Sequence, residues 1–214
     1  MPIVDLSHTI REGMLSYPGV PTPIFGAVRT HADTAAYAPG TSFHIGTYSL
    51  AGNTGTYVDA PFHRFPNGAD LAALPLERLV NLPGIVIEAP KDGPIEEDVI
   101  DVSLCRGHAV LFHTDWSRHW GKESYFRSGP FLPRRTCEAL VNSGAVLVGI
   151  DCANIDDMKD LARPAHTVLL GAGVPVVEHL RGLELLPEVF RFSAAPPALE
   201  GGTSFPVRAF AVVG

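Results

Sequence analysis

Seven stretches of the chain are rich in β-branched and apolar residues and end in glycine, proline or polar clusters. They predict strands over Ile3 to Leu6, Ile24 to Thr30, Ser42 to Leu50, Ile85 to Glu88, Ala109 to His113, Ala145 to Ile150 and Val207 to Val213. The Ala109 and Ala145 runs are almost wholly apolar, the pattern of strands covered on both faces. Between Pro133 and Ser143 the period changes. Cys137, Leu140 and Val141 recur at helical spacing, Pro133 suits a first helical position and Gly144 a C-terminal cap. Shorter helices are predicted over Leu76 to Val80 and Glu96 to Val102. Strands with helices set among some of them predict a mixed α/β domain.

Composition narrows the class. A length of 214 residues suits one domain over 1–214. Only 18% of residues are charged. Two readings fit that figure: surface buried in an oligomer, or a loop-rich domain, since there are 19 prolines and 21 glycines. The net charge of −7 repels phosphate backbones and argues against a nucleic-acid partner. No apolar run reaches the ~20 residues of a membrane span, and the start of the chain lacks the basic and apolar regions of a signal peptide. Three widely spaced cysteines, Cys105, Cys137 and Cys152, do not form a disulfide framework. A reducing, cytoplasmic setting is the expectation.

Three polar constellations can carry chemistry. The loop Gly52 to Arg64 holds a carboxylate, Asp59, and an imidazole, His63, and its glycines at 52 and 55 allow positive φ or close backbone approach. Such a pair can bind a metal or move a proton, and such a loop can equally be a plain turn. Next, His166 and Glu178 flank apolar runs. A carboxylate at the end of a buried strand needs a partner or a metal, whereas a lone histidine is as often a satisfied core residue. The third cluster, Asp151, Asp156 and Asp157, reads as solvated turn carboxylates. Cys152 paired with His166 as a base is a further arrangement, although buried cysteines are mostly inert. His31 with Asp33 and His113 with Asp115 are close in sequence, as pairs often are by chance. His113-Thr114-Asp115-Trp116 ends a buried strand and could line a pocket.

The segment Asn53 to His63 resembles the signature of the cyclase family, which includes bacterial kynurenine formamidase and isatin hydrolase. That signature runs His-x-Gly-Thr-His-x-Asp-Ala-Pro-x-His. Gly55, Thr56, Asp59, Ala60, Pro61 and His63 match it. Asp5-Leu6-Ser7, His113 to Ser117, Gly149-Ile150-Asp151, Ala165-His166, Glu178 and Phe205 to Ala209 follow in the family order. The resemblance implies a swivelling β/β/α domain with a central β-barrel-like core and peripheral helices, in a homodimer or homotetramer. It implies hydrolysis of an amide or cyclic amide or ester bond in a small molecule, as by an arylformamidase.

Carried over by position, Asp59, His166 and Glu178 become metal ligands and His63 the acid–base group. The family's other two ligand histidines are Asn53 and Tyr57 here. An amide is a poor zinc ligand and tyrosine an uncommon one. These two are therefore expected to contact substrate, and at most one divalent metal, Zn²⁺ or Mn²⁺, is expected. Two alternatives stay open. One is a metal-free binding protein or degenerate enzyme that keeps the pocket. The other is a metal-independent lyase or isomerase using His63 and Tyr57. Either way, Asp59, His166 and Glu178 should meet in one pocket, and a buried Tyr57 hydroxyl should find Asp59 or Glu178.

Overall fold

The computed structural model describes residues 1–34 and 37–214. Among these residues eleven strands follow one another: β1 (Ile3–Asp5), β2 (Ile24–Arg29), β3 (Ile45–Ser49), β4 (Tyr57–Asp59), β5 (Leu82–Glu88), β6 (Ala109–His113), β7 (Leu147–Ile150), β8 (Val176–Glu178), β9 (Phe190–Ser193), β10 (Ser204–Pro206) and β11 (Phe210–Val213). Two α-helices, α1 (Arg134–Ser143) and α2 (Pro164–Gly171), lie before and after β7. Nine strands form one sheet in the order β1-β11-β9-β5-β6-β7-β8-β4-β10. Its centre, β5 to β8, is parallel, and its flanks are antiparallel.

The connectivity forces this sheet to curl. β10 and β11 stand seven places apart in the order, a gap of roughly 34 Å in a flat sheet with strands ~4.8 Å apart. Only Val207, Arg208 and Ala209 join them, a link that spans at most ~14 Å. The ends of the sheet must therefore approach each other. The backbone shows them meeting: Ser7, beyond β1, bridges to Leu180, beyond β8, and the Val207 N–H donates to the Thr56 carbonyl. The result is a mixed α/β domain with the barrel-like core that the resemblance implies.

Alternation along the strands sorts side chains between two cores. Ala109 and Leu111 of β6 face the inside of the curl with Leu6, Val58, Leu147, Val177 and Phe192. Val110 and Phe112 face the other way and pack with Cys137 and Leu140 of α1 and Leu169 and Leu170 of α2. This double coverage is why the β6 and β7 runs are apolar throughout. The α1 helix ends as its sequence requires, on Gly144 at φ 86°. Pro133 is the residue before its first turn rather than within it. The helices expected at Leu76 and Glu96 are 3₁₀ turns, Leu76–Arg78, Glu97–Val99 and Val102–Leu104. Each run is too short to repay helix nucleation.

β2 and β3 stand apart. They pair with each other and, among the described residues, with no other strand. Ile24, Val28 and Tyr48 are 62%, 70% and 68% exposed on this ribbon.

Candidate active site

The segment read as a loop contains a buried strand, β4, and that strand organises the site. Tyr57 and Asp59 lie two residues apart and share a face, while Val58 points into the core. Across the ladder, Tyr57 stands opposite Glu178 of β8, and Asp59 opposite Ser204 of β10. Directly opposed residues bring their side chains together. The Tyr57 hydroxyl donates to Glu178 Oε2, and the Ser204 hydroxyl donates to Asp59 Oδ1. All four residues are buried.

Two glycines allow β4 to sit there. Gly55 takes φ 67°, and Gly52 passes so close to the Ser204 carbonyl that a side chain would collide with it. After Asp59 the chain turns through a 3₁₀ turn, Pro61–His63, which brings the His63 ring back over the strand. His63 Nδ1 lies 3.1 Å from Ser204 Oγ and 3.6 Å from Asp59 Oδ1.

His166 arrives from the opposite wall, on the first turn of α2. Its Nδ1 donates to Asp156 Oδ2 at 2.6 Å, which turns Nε2 towards Asp59 Oδ2 at 3.4 Å and Glu178 Oε1 at 3.7 Å. Asp156 also accepts the Ala165 and His166 backbone N–H groups, at 2.6 and 3.3 Å. It thus caps α2 from outside the helix, where a carboxylate also complements the positive end of the helix dipole.

The electrostatics follow from this packing. Burial alone would depress the His166 pKa, but the bond to Asp156 and the nearby carboxylates of Asp59 and Glu178 raise it to about 10. Burial, reinforced by the nearby Asp59 charge, pushes Glu178 up to about 7. Burial works against Asp59 ionising as well, yet His63, His166 and Ser204 outweigh it and hold that carboxyl below its ordinary range. Burial and the Glu178 charge hold the Tyr57 hydroxyl protonated.

Asp59 Oδ2 is buried and has no hydrogen-bond partner among the described residues. It faces His166 Nε2, whose other near neighbour is Glu178 Oε1. The separations of 3.4 and 3.7 Å compare with the roughly 3.3–3.5 Å between ligand atoms around a tetrahedral ion bound at ~2.0–2.1 Å. Two separations in the Asp59, His166 and Glu178 set thus suit a divalent cation, and Glu178 Oε1 also accepts the Ile155 N–H at 2.6 Å. A second donor set overlaps the first: atoms of Asp59, His63 and His166 lie within 4.8 Å of one another. Asp59 and His166 belong to both sets.

The site opens into a cavity of about 280 Å³, bordered by Asn53, Tyr57, His63, His166 and Glu178 and, further out, by Tyr17, Val20, Arg64, Asn154 and Arg163. All six residues singled out in the sequence thus meet in one place, across 119 positions from Asp59 to Glu178. Tyr57 bonds one of the two partners expected of it, Glu178 rather than Asp59.

Other readings are corrected. Asp151 and Asp156 are not solvated: both are buried, Asp151 taking the Thr114 N–H and hydroxyl and Asp156 orienting His166. Cys152 is no nucleophile partner for His166. It is buried, its thiol donates to the Pro130 and Asn154 carbonyls, and burial pushes its pKa well up. His113 turns to Glu88 rather than Asp115, and His31 to Ser42 rather than Asp33. His113 and Asp115 do border a cavity, one distinct from the site. Ser204 and Asp156 were missed as site residues. Only register and chain crossing bring them in, and neither shows as a local pattern.

Comparison with known proteins agrees with this architecture. The profile of the family described as "Putative cyclase" matches residues 4–157. Kynurenine formamidase of Salinibacter ruber is 28% identical over 212 residues, covering 98% of this chain and 96% of its own. Isatin hydrolase A of Ralstonia solanacearum superposes with a TM-score of 0.83 at 25% identity, covering 100% of this chain and 92% of that one. A structure titled as a "predicted metal-dependent hydrolase" from Bacillus stearothermophilus gives 0.78 at 25% identity, covering 98% and 97%. With its curled sheet, its β4 signature strand and a family match over most of its length, the chain belongs to the cyclase family.

Proposed function

We propose that this protein is a metal-dependent hydrolase of a non-peptide C–N amide bond in a small molecule, with aryl formamides and cyclic amides as the substrate types. The observation that carries the reading is the unpartnered, buried Asp59 Oδ2 facing His166 Nε2 and Glu178 at the floor of the cavity. Asp59, His166 and Glu178 would hold the ion, and the mixed carboxylate–imidazole set suits Zn²⁺ or Mn²⁺. When bound, such an ion supplies a water of lowered pKa and polarises a carbonyl.

The chain's own residues do the rest. His63, partly exposed beside Asp59, accepts a proton and returns it to the leaving nitrogen. Asn53 borders the same cavity and donates to the developing oxyanion. Tyr57, kept protonated, holds Glu178 in place. Asp156 fixes the His166 tautomer.

The test is elemental analysis of protein purified without added metal, joined to turnover of formanilide and of isatin. Metal near one per chain and hydrolysis that falls on chelation are expected. Hydrolysis at full rate in fully chelated protein would overturn the metal role.

One observation favours a second reading. The Tyr57–Glu178 and His166–Asp156 bonds and the raised His166 pKa give a site whose charges are largely balanced without an ion. A metal-free pocket, used for binding or for proton-transfer chemistry by His63 and Tyr57, would show no stoichiometric metal.

The same proposal extends to context. The three buried, unpaired cysteines support a cytoplasmic setting, and no helix among the described residues is long and apolar enough to cross a membrane. The β2–β3 ribbon supports a homo-oligomer, because an isolated two-stranded ribbon is marginal in water and this one carries exposed isoleucine, valine and tyrosine.

A further inference from the structure

We infer that the outer end of the cavity is an anion subsite, built from Arg163 and Arg64, that takes a carboxylate on the substrate. The inference rests on the amide-hydrolase reading and adds the substrate's charge to it.

Both arginines border the cavity. They are tied to one turn of helix: Arg64 Nε donates to Thr167 Oγ1 at 3.0 Å, and that hydroxyl donates to the Arg163 carbonyl at 2.7 Å. Arg163 is held further by Nη1 donating to the Asp157 carbonyl at 3.2 Å. Its backbone sits at φ 49°, in the left-handed region. A non-glycine residue there is uncommon and persists where the surroundings over-determine it, often at ligand sites.

Neither guanidinium meets a carboxylate within ion-pair distance among the described residues, whereas Arg118, Arg127, Arg135, Arg181 and Arg208 each do. Unpaired arginines at a surface are ordinary. This pair differs because both face the one cavity into which the site opens. His166 largely balances the charges of the floor, so the attraction for a carboxylate lies at the rim. Attraction at the rim orients a substrate with its anion outward and its amide inward, and planar guanidinium groups suit a carboxylate. The volume of about 280 Å³ lies just under the roughly 300–1,000 Å³ of pockets for drug-sized ligands. A single-ring amide bearing one carboxylate is the class that fits.

The test pairs binding with turnover on the protein as purified. Calorimetry compares benzoate with neutral, isosteric benzamide in the wild type, in Arg64→Gln and in Arg64→Gln/Arg163→Gln. Wild-type protein should prefer benzoate at least about ten-fold, the scale of hydrogen bonds to a charged group. The double variant should lose that preference and Arg64→Gln part of it. Equal affinities, no benzoate binding, or a preference that survives both substitutions overturns the subsite. If the double variant fails to fold, Arg64→Gln, at an exposed position, decides alone.

The kinetic arm compares kcat/KM for formanilide and 2-formamidobenzoate. A ratio favouring the carboxylate that falls towards one in the variants supports the subsite. Equal ratios throughout refute the subsite and leave the hydrolase reading intact. Arginine-dependent benzoate binding with neither amide hydrolysed does the reverse.

Discussion

His63 reaches its partners from a position where a third of its side chain is exposed, so its removal opens no core cavity. His63→Ala is expected to lower kcat by roughly 10²–10⁴-fold, the usual contribution of a positioned acid–base group, with little change in melting temperature. A variant with wild-type kcat would end that assignment. Asp156 is the opposite case, wholly buried and doubly engaged. Asp156→Asn keeps the shape and removes the charge that holds His166 Nδ1–H and the α2 N-terminus. Metal affinity should drop ~10–100-fold, and the weakened cap should cost about 1 kcal/mol. Metal titration and thermal melting read the two effects separately. The resemblance implies that Asn53 and Tyr57 stand where the family's other two ligand histidines would be. The wild type is therefore expected to hold at most one ion per chain, and Asn53→His with Tyr57→His to raise that ratio in elemental analysis. Two ions per wild-type chain at this pocket would contradict the ligand count.

At the scale of elements, β4 is the piece on which the site depends, and its entry turn is its weak point. Gly55 sits at φ 67°, and an added Cβ would also press on Ile10. Gly55→Ala should destabilise by about 1–2 kcal/mol from the left-handed backbone alone, read as a lower urea midpoint at unchanged slope. Activity should fall with it, because Tyr57 and Asp59 follow within four residues. β4, β8 and β10 each have three residues. Such strands carry too few alternations to show as a period, which explains why β4 read as a loop and why β10 was not expected. α2 was overlooked for a related reason. Its apolar residues surround it on most sides, so Val168 to Leu170 could belong to a short strand or a helix, and periodicity does not separate the two. Pro164 at its first turn was the available signal.

At the scale of the molecule, acid should be a specific weakness. His8 is stacked on Trp120 with ring centroids 4.0 Å apart and planes 8° apart. Burial first, and then the nearby His179 and Arg181, lower its pKa to about 3. A histidine with a depressed folded pKa contributes stability that is full above its unfolded value of ~6.5 and is lost as pH falls towards the folded one, because the unfolded chain takes up the proton first. The loss from pH 7 to pH 5 should be on the order of 2 kcal/mol. His8→Phe keeps an aromatic ring against Trp120 and should flatten the stability profile across that window. An unchanged slope in pH-dependent melts would show that other groups dominate. The proposed oligomer belongs to this scale too. Light scattering should give a multiple of the chain mass, and Val28→Glu with Tyr48→Glu on the exposed ribbon should shift it towards the monomer. A wild-type monomer mass that dilution leaves unchanged would count against assembly.

The chemistry of the residues was legible along the chain wherever it was local. The Asp59-Ala60-Pro61-Phe62-His63 segment, the apolar β6 and β7 runs and the Pro133-to-Gly144 helix announce themselves because backbone preference and neighbouring side chains act within a few residues. The order of the motifs sufficed to indicate the family and the six residues that meet. Tertiary structure alone decided how they meet. The curl that brings β10 beside β4, the register that sets Ser204 opposite Asp59 and Glu178 opposite Tyr57, the burial of Asp156 under α2 and the two arginines at the rim all arise from contacts between segments far apart in sequence. Burial then set the charges. A carboxylate has the same formula in a turn or in a core, and only the desolvation and the partners imposed by the fold make Asp59 and Glu178 different from the carboxylates that remain in water.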